Sequence, residues 1–190
     1  MPDPNPAALD FLLTRRSRPA KTLRKPAPEG AVLDRIIEAG LRVPDHGKLE
    51  PWRLVVFRAD QMPRLAELAQ ARGAATGVAA EKVEKAANSF AAAPMIVMVV
   101  TAPVDSEKIP EIEQLLSAGC VCLSLVNAAL ASGYGANWIT GFAAHDPEFG
   151  AALGLSTGES IAGFIHMGTE TAAPPERPRP DVAQKVVVAG

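Results

Sequence analysis

Arg15-Arg16-Ser17-Arg18 is the chain's single basic cluster, and its residue types are those of a small anion trap. Guanidinium groups fork onto phosphate oxygens and a neighbouring hydroxyl adds one more hydrogen bond. A solvated surface patch has the same composition, so the tetrapeptide alone leaves both readings open. A second constellation, Arg42-Val43-Pro44-Asp45-His46-Gly47-Lys48-Leu49-Glu50-Pro51-Trp52, holds a polar loop between two prolines. It offers Arg42, His46 and Lys48 as donors. Asp45 and His46 are adjacent and cannot supply three or four metal ligands, and no other His or Cys cluster assists, so no metal site is expected. Nothing in the sequence resembles a Ser-His-Asp arrangement. Cys120 and Cys122, the only cysteines, are two apart in a helical pattern and point away from each other, so they read as small buried hydrophobes rather than a disulfide. His145 is expected in a turn, His166 in a strand and Trp52 as a core anchor at a strand start.

The elements that position these residues follow from spacing and punctuation. Asn5 caps a helix that starts at Pro6 and carries Leu9, Leu12 and Leu13, ending at the basic cluster. A second helix follows Pro28, with Leu33, Ile36, Ile37, Gly40 and Leu41 on one stripe, and stops near Val43 because Pro44 disfavours helix in the preceding residue. Trp52 to Arg58 reads as a strand, Asp60 to Ala71 as a helix capped by Asp60, Gly73 to Gly77 as loose chain, and Val78 to Phe90 as an amphipathic helix. Met95 to Val100 is a continuous apolar run, the pattern of a strand covered on both faces. A helix over Glu111 to Ser132, a strand over Tyr134 to Thr140, a short helix over Asp146 to Leu153 and a strand over Ser160 to Met167 complete the list. From Thr169 to Pro180 four prolines make an extended segment, and Val186 to Val188 could add a last strand, on this chain or a neighbour.

The window Leu115 to Ala144 contains no Asp, Glu, Lys, Arg or His and is long enough to span a bilayer. Ser117, Ser124, Asn127 and Ser132 interrupt it, Gly133-Tyr134-Gly135 breaks it, and no positive flank frames it. A helix apolar on every side is otherwise a buried one, placed at the centre of the fold or at a subunit contact. The chain has 190 residues, 48% of them hydrophobic and 5% aromatic, with 19 basic against 21 acidic groups. At this size roughly 70% of the unfolded surface can be buried, enough for one domain without disulfides. A net charge of −2 and scarce aromatics leave no case for a nucleic-acid or membrane-surface partner. With no export signal recognised, a cytoplasmic location is expected. Helices in succession at the start, and no Gly-rich strand-to-helix turn, point to α+β rather than a doubly wound fold.

Taken in order, R-R-S-R, L-x-x-I-I-x-A-G, P-D-H-x-x-x-x-P-W-R and the closing G-F-x-x-x-G-T resemble the nitroreductase family of flavoproteins, in its short-chain bacterial branch, from about Leu9 to Pro180. The resemblance implies one FMN-binding domain over residues 1–190, with an N-terminal tail over 1–5 and an extended C-terminal tail over 169–190. Its fold would be a mostly antiparallel central sheet flanked by helices, in an intertwined homodimer with FMN at the interface. It implies hydride transfer from NADH or NADPH through the flavin to nitroaromatic, quinone or related acceptors, in a ping-pong cycle. Carried over by position, Arg15, Arg16 and Ser17 fall on the FMN phosphate and ribityl chain, and the second subunit supplies Arg42 and His46. Trp138, Ile139 and Thr140 approach the flavin from the other side. Ala128 to Gly133 matches a segment assigned to the nicotinamide nucleotide, and Arg177 or Arg179 could reach the phosphate. Lys48 and Glu50 stand where the larger family has Asn and Gln: a Lys beside the ring favours an anionic reduced flavin and a Glu disfavours it. The alternative is a flavin-binding or flavin-sequestering protein without turnover, served by the same pocket residues.

Overall fold

A computed structural model describes residues 3–189. The order is α1 (Pro6–Thr14), β1 (Leu23–Arg24), α2 (Gly30–Gly40), β2 (Trp52–Arg58), α3 (Met62–Ala75), α4 (Ala80–Ala91), β3 (Met95–Thr101), α5 (Glu111–Ala131), β4 (Gly135–Ile139), α6 (Phe142–His145), α7 (Pro147–Ala152) and β5 (Ser160–Glu170), with single 3-10 turns between some of them. Every strand pairing is antiparallel. β2, β3 and β5 lie side by side, and the far edge of β5 is shared by β4 along residues 164–168 and β1 at 169–170.

Helices cover both faces of this sheet. On one, Ile96, Met98 and Val100 of β3 and Phe164 of β5 pack with Phe90, Phe149, Met62 and Leu65 from α3, α4 and α7. On the other, Val97, Val99, Ile165 and Met167 pack with Ile36 of α2 and Val121, Leu125 and Val126 of α5. Successive residues of β3 therefore serve opposite cores, which is why its sequence is apolar without alternation. α2 and α5 meet closely at Gly40, where a methyl group would overlap the Leu125 side chain.

Most expected elements are present, and the differences have physical reasons. Asn5 does cap α1, its side chain accepting from Ala8 N at 3.1 Å. α3 continues through Gly73, expected as loose chain, because Gly73 faces Val83 of α4 at a contact that a methyl would overlap. Asp60 is not its cap; it lies in a 3-10 turn, and the Gln61 side chain accepts from Arg58 N instead. β5 runs three residues beyond the expected Met167, so the C-terminal tail begins after Glu170, since β1 supplies a partner there. His145 ends the short α6 rather than sitting in a turn. Val186 to Val188 form no strand among the described residues and are exposed.

α5 is not buried on every side. Ser117, Ala118, Val121, Cys122, Leu125 and Val126 face the sheet, whereas Ile112, Leu115, Leu116 and Leu123 are exposed, and Cys120 is exposed beside them. The sheet and α2 together cover only one side of this helix. α1 is likewise uncovered, with Leu9, Leu12 and Leu13 all more than half exposed.

Candidate functional site

β4 organises one set of candidate residues. α5 ends in a glycine-terminated cap: Gly133 takes a left-handed φ of 83°, its N–H reaches Leu130 O, and Tyr134 N reaches Ala129 O. That turn launches β4, and the segment after α1 is tied to it by Arg18 N donating to Ala136 O at 2.8 Å. The basic cluster is thereby held at the start of β4. Trp138, Ile139 and Thr140 lie at its far end, roughly 13 Å along the strand at about 3.3 Å per residue. Gly141 follows with φ 81° and ψ −174°, a conformation essentially restricted to glycine, and turns the chain into α6.

Arg15 Nη2 donates to Ser17 Oγ at 3.2 Å, which brings these two candidate residues together. Arg15 Nε and Arg16 Nη1 are buried and have no hydrogen-bond partner. Arg18 Nε approaches Glu170 Oε2 at 3.4 Å, an ion pair by distance without hydrogen-bond alignment. Burial first, and then the charges of Arg179 and Arg18, hold the Arg15 guanidinium below its ordinary range. The C-terminal tail thus brings Arg179 beside the cluster, where Glu176 accepts from Arg179 Nε at 2.9 Å. Buried guanidinium nitrogens without a partner, among neighbouring arginines and at the edge of the Glu170 and Glu176 carboxylates, suit the acceptor oxygens of an anion.

Arg42 and His46 are elsewhere in the chain. Arg42 is exposed just after α2, and His46 Nδ1 meets Glu113 Oε2 of the first turn of α5 at 2.7 Å. The arginine cluster is tied beside the opposite end of the same helix, which is roughly 30 Å long at about 1.5 Å per residue. A single chain therefore does not bring His46 onto Arg15, Arg16 and Ser17. Lys48 and Glu50 are both exposed, and both have left-handed backbone, with φ of 55° and 49°. Neither forms an ion pair among the described residues.

Trp138 lies across Gly163, where a methyl would overlap the indole, and its Nε1 donates to Ala162 O at 3.1 Å. With Leu115, Leu116 and Leu123 of α5 it borders an open apolar groove. Trp52 is the core anchor expected, its Nε1 donating to Ser117 Oγ at 3.0 Å. Two residues escaped the sequence reading. Glu113 has the ordinary signature of an acidic group in a first helical turn, and Ser117 looks like an interruption of an apolar helix. Only the docking of a distant loop reveals what they hold.

The Nitroreductase family model matches residues 12–169 of the chain. The "Putative NAD(P)H nitroreductase YdjA" of Escherichia coli K12 is 35% identical over 162 residues, covering 85% of this chain and 87% of that protein. Among solved structures, a nitroreductase-like family protein from Bacillus cereus superposes with a TM-score of 0.81 at 20% identity, covering 100% of this chain and 98% of the other. A nitroreductase with bound FMN from Bacteroides fragilis superposes with a TM-score of 0.73 at 19% identity, covering 96% and 98%. The antiparallel sheet between two helical layers, the relatives at 35% identity and the family match over most of the chain agree: the protein belongs to the nitroreductase family.

Proposed function

We propose that the protein is an FMN-dependent oxidoreductase that takes hydride from NADH or NADPH and reduces nitroaromatic, quinone or related acceptors. The observation that carries this reading is the pair of orphaned guanidinium nitrogens, Arg15 Nε and Arg16 Nη1, beside Ser17 and within the field of Arg179. A phosphate monoester supplies acceptor oxygens for these two nitrogens, beside the Glu170 and Glu176 carboxylates that pair with Arg18 and Arg179. The residues present therefore fit the phosphate of FMN. When bound, FMN supplies the redox chemistry, accepting hydride from the nicotinamide and passing electrons to the acceptor.

The chain's own residues bind, orient and shield. Arg15, Arg16 and Ser17 hold the phosphate and the adjoining ribityl oxygens, with Arg179 adding charge from the tail. Trp138, Ile139 and Thr140, fixed by β4 and the turn at Gly141, border the ring end. Arg42 and His46 come from a second copy of the chain. What supports the homodimer is the uncovered apolar surface: Leu9, Leu12 and Leu13 on α1, and Ile112, Leu116 and Leu123 on α5. Nicotinamide nucleotide and acceptor use one exposed face in turn, so steady-state kinetics give parallel lines when both are varied.

Arg15→Ala and Ser17→Ala test the assignment. Each is expected to weaken FMN retention, the arginine variant more strongly because it removes a charge as well as hydrogen bonds. Unchanged FMN affinity in both variants places the phosphate elsewhere and overturns the reading.

A further inference from the structure

We propose that Glu113 is a positioning residue for His46, fixing which ring nitrogen the histidine offers to the cofactor. The inference rests on the reading above, in which His46 of one chain contacts FMN held by the other. His46 Nδ1 and Glu113 Oε2 are 2.7 Å apart, joining residues 67 positions distant in sequence. A carboxylate can only accept, so the hydrogen resides on Nδ1. Nε2 is then the nitrogen left for a ligand, as an acceptor when the ring is neutral and a donor when it is protonated.

The surrounding contacts fix the loop that carries this ring. Glu113 and Ser117 are four residues apart and share a face of α5. Ser117 Oγ donates to Pro44 O at 2.7 Å and accepts from Trp52 Nε1 at 3.0 Å, pinning both ends of the loop on the helical turn after Glu113. Inside the loop the Asp45 carboxylate accepts from Leu49 N at 3.2 Å and Glu50 N at 2.9 Å. Gly47, Lys48 and Glu50 all have left-handed backbone, and a side chain at Gly47 would overlap Ile109. For Lys48 and Glu50 that conformation is strained, and it is sustained by the contacts on either side. The backbone around His46 is thus fixed from both ends, leaving the ring's own rotation and tautomer as the freedoms that Glu113 removes. A negative group in the first turn of α5 is also favoured by the helix dipole.

Exchange between tautomers is the property that distinguishes positioning from simple packing. The test uses FMN-loaded protein labelled with 15N in its three histidines, with His46 assigned through His46→Gln. Above the ordinary imidazole titration range, His46 is expected to show a protonated Nδ1 and a bare Nε2. In Glu113→Ala its shifts are expected to move toward the tautomer mixture of free imidazole, while Glu113→Gln, which keeps an acceptor oxygen, falls between. The FMN dissociation constant, read by flavin fluorescence at fixed salt, is expected to rise about two- to fivefold in Glu113→Ala, the scale of an exposed pair. It is expected not to rise further when Glu113→Ala is added to His46→Gln. An unchanged tautomer in Glu113→Ala overturns the proposal. So does an equal loss of FMN affinity with and without His46, which is the behaviour of a merely structural residue. A wild-type protein that binds no FMN refutes the function proposed above instead, and the tautomer measurement still decides whether Glu113 holds His46.

Discussion

Gly163→Ala probes how the ring end of the site is built. By strand alternation Gly163 shares the α5 face with Ile165 and Met167, and the Trp138 indole lies directly over it. β5 is held by β3 on one side and β4 on the other, so the added methyl displaces the indole rather than the strand. Trp138 is 40% exposed. A large aromatic side chain presents about 250 Å², so roughly 150 Å² of this one is covered, worth at most about 4 kcal/mol at ~25 cal/mol per Å². The hydrogen bond from Nε1 to Ala162 O adds about 1 kcal/mol. The displaced ring keeps part of its contact with α5, so the expected loss is on the order of 2 kcal/mol, or about 4–8 °C in Tm for a chain of this size. Thermal unfolding at fixed protein concentration reads it, together with a red shift in the emission of one of only two tryptophans. On a Trp138→Ala background the same substitution should cost little, because the clashing partner is gone. Wild-type Tm and emission in Gly163→Ala, or an equal loss without Trp138, refutes the packing argument.

Three further outcomes follow from single contacts. His166 is buried, its Nδ1 lacks a partner, and burial pushes its pKa down to about 4. The unfolded chain takes the proton first, so stability should fall as pH drops from about 6.5 to 4, by up to ~3 kcal/mol, and His166→Phe should remove that slope from urea midpoints. Arg53 grips the 154–159 segment, donating to Glu159 at 2.7 and 2.6 Å and to Gly154 O at 3.0 Å, and this bond holds the Glu159 carboxyl below its ordinary range. Glu159→Gln should cost about 1 kcal/mol at neutral pH and progressively less as pH falls through the carboxylate range, with faster hydrogen exchange at Ser156 N, which Glu159 accepts at 2.7 Å. Ser117→Ala removes the partner of both Pro44 O and Trp52 Nε1 and should cost about 1–2 kcal/mol, with proteolytic sensitivity rising in the 44–51 loop.

Local signals carried much of the fold. Trp52–Arg58 is a strand with the bounds its composition implies, β3 is doubly covered as its unbroken apolar run requires, and Gly133 ends α5 where the left-handed cap needs a glycine. What sequence did not convey depends on partners distant along the chain. Leu23–Arg24 is a strand only because β5 extends to Glu170, and Gly73 is helical because Val83 of another helix fills the space beside it. Composition marks α5 as apolar and leaves open the centre of the fold or a subunit contact; one face packs on the sheet and the other is exposed in the single chain, because composition reports that a surface is apolar, not what covers it. In the site, the clustering of Arg15, Arg16 and Ser17 was legible since they are contiguous. Which of the two tail arginines lies beside the cluster, Arg179, and the hold of Glu113 on His46 come from the path of the tail and the docking of a loop.

An anaerobic titration of the purified protein with NADH and with NADPH tests the proposed oxidoreductase most directly. The protein should carry a flavin absorption band, released on denaturation as FMN at one per chain, and at least one nucleotide should bleach it promptly and stoichiometrically. A flavin reduced by dithionite but by neither nucleotide would mark a flavin-binding protein without this activity. A colourless protein that cannot be reconstituted with FMN would contradict the assignment of the arginine cluster itself.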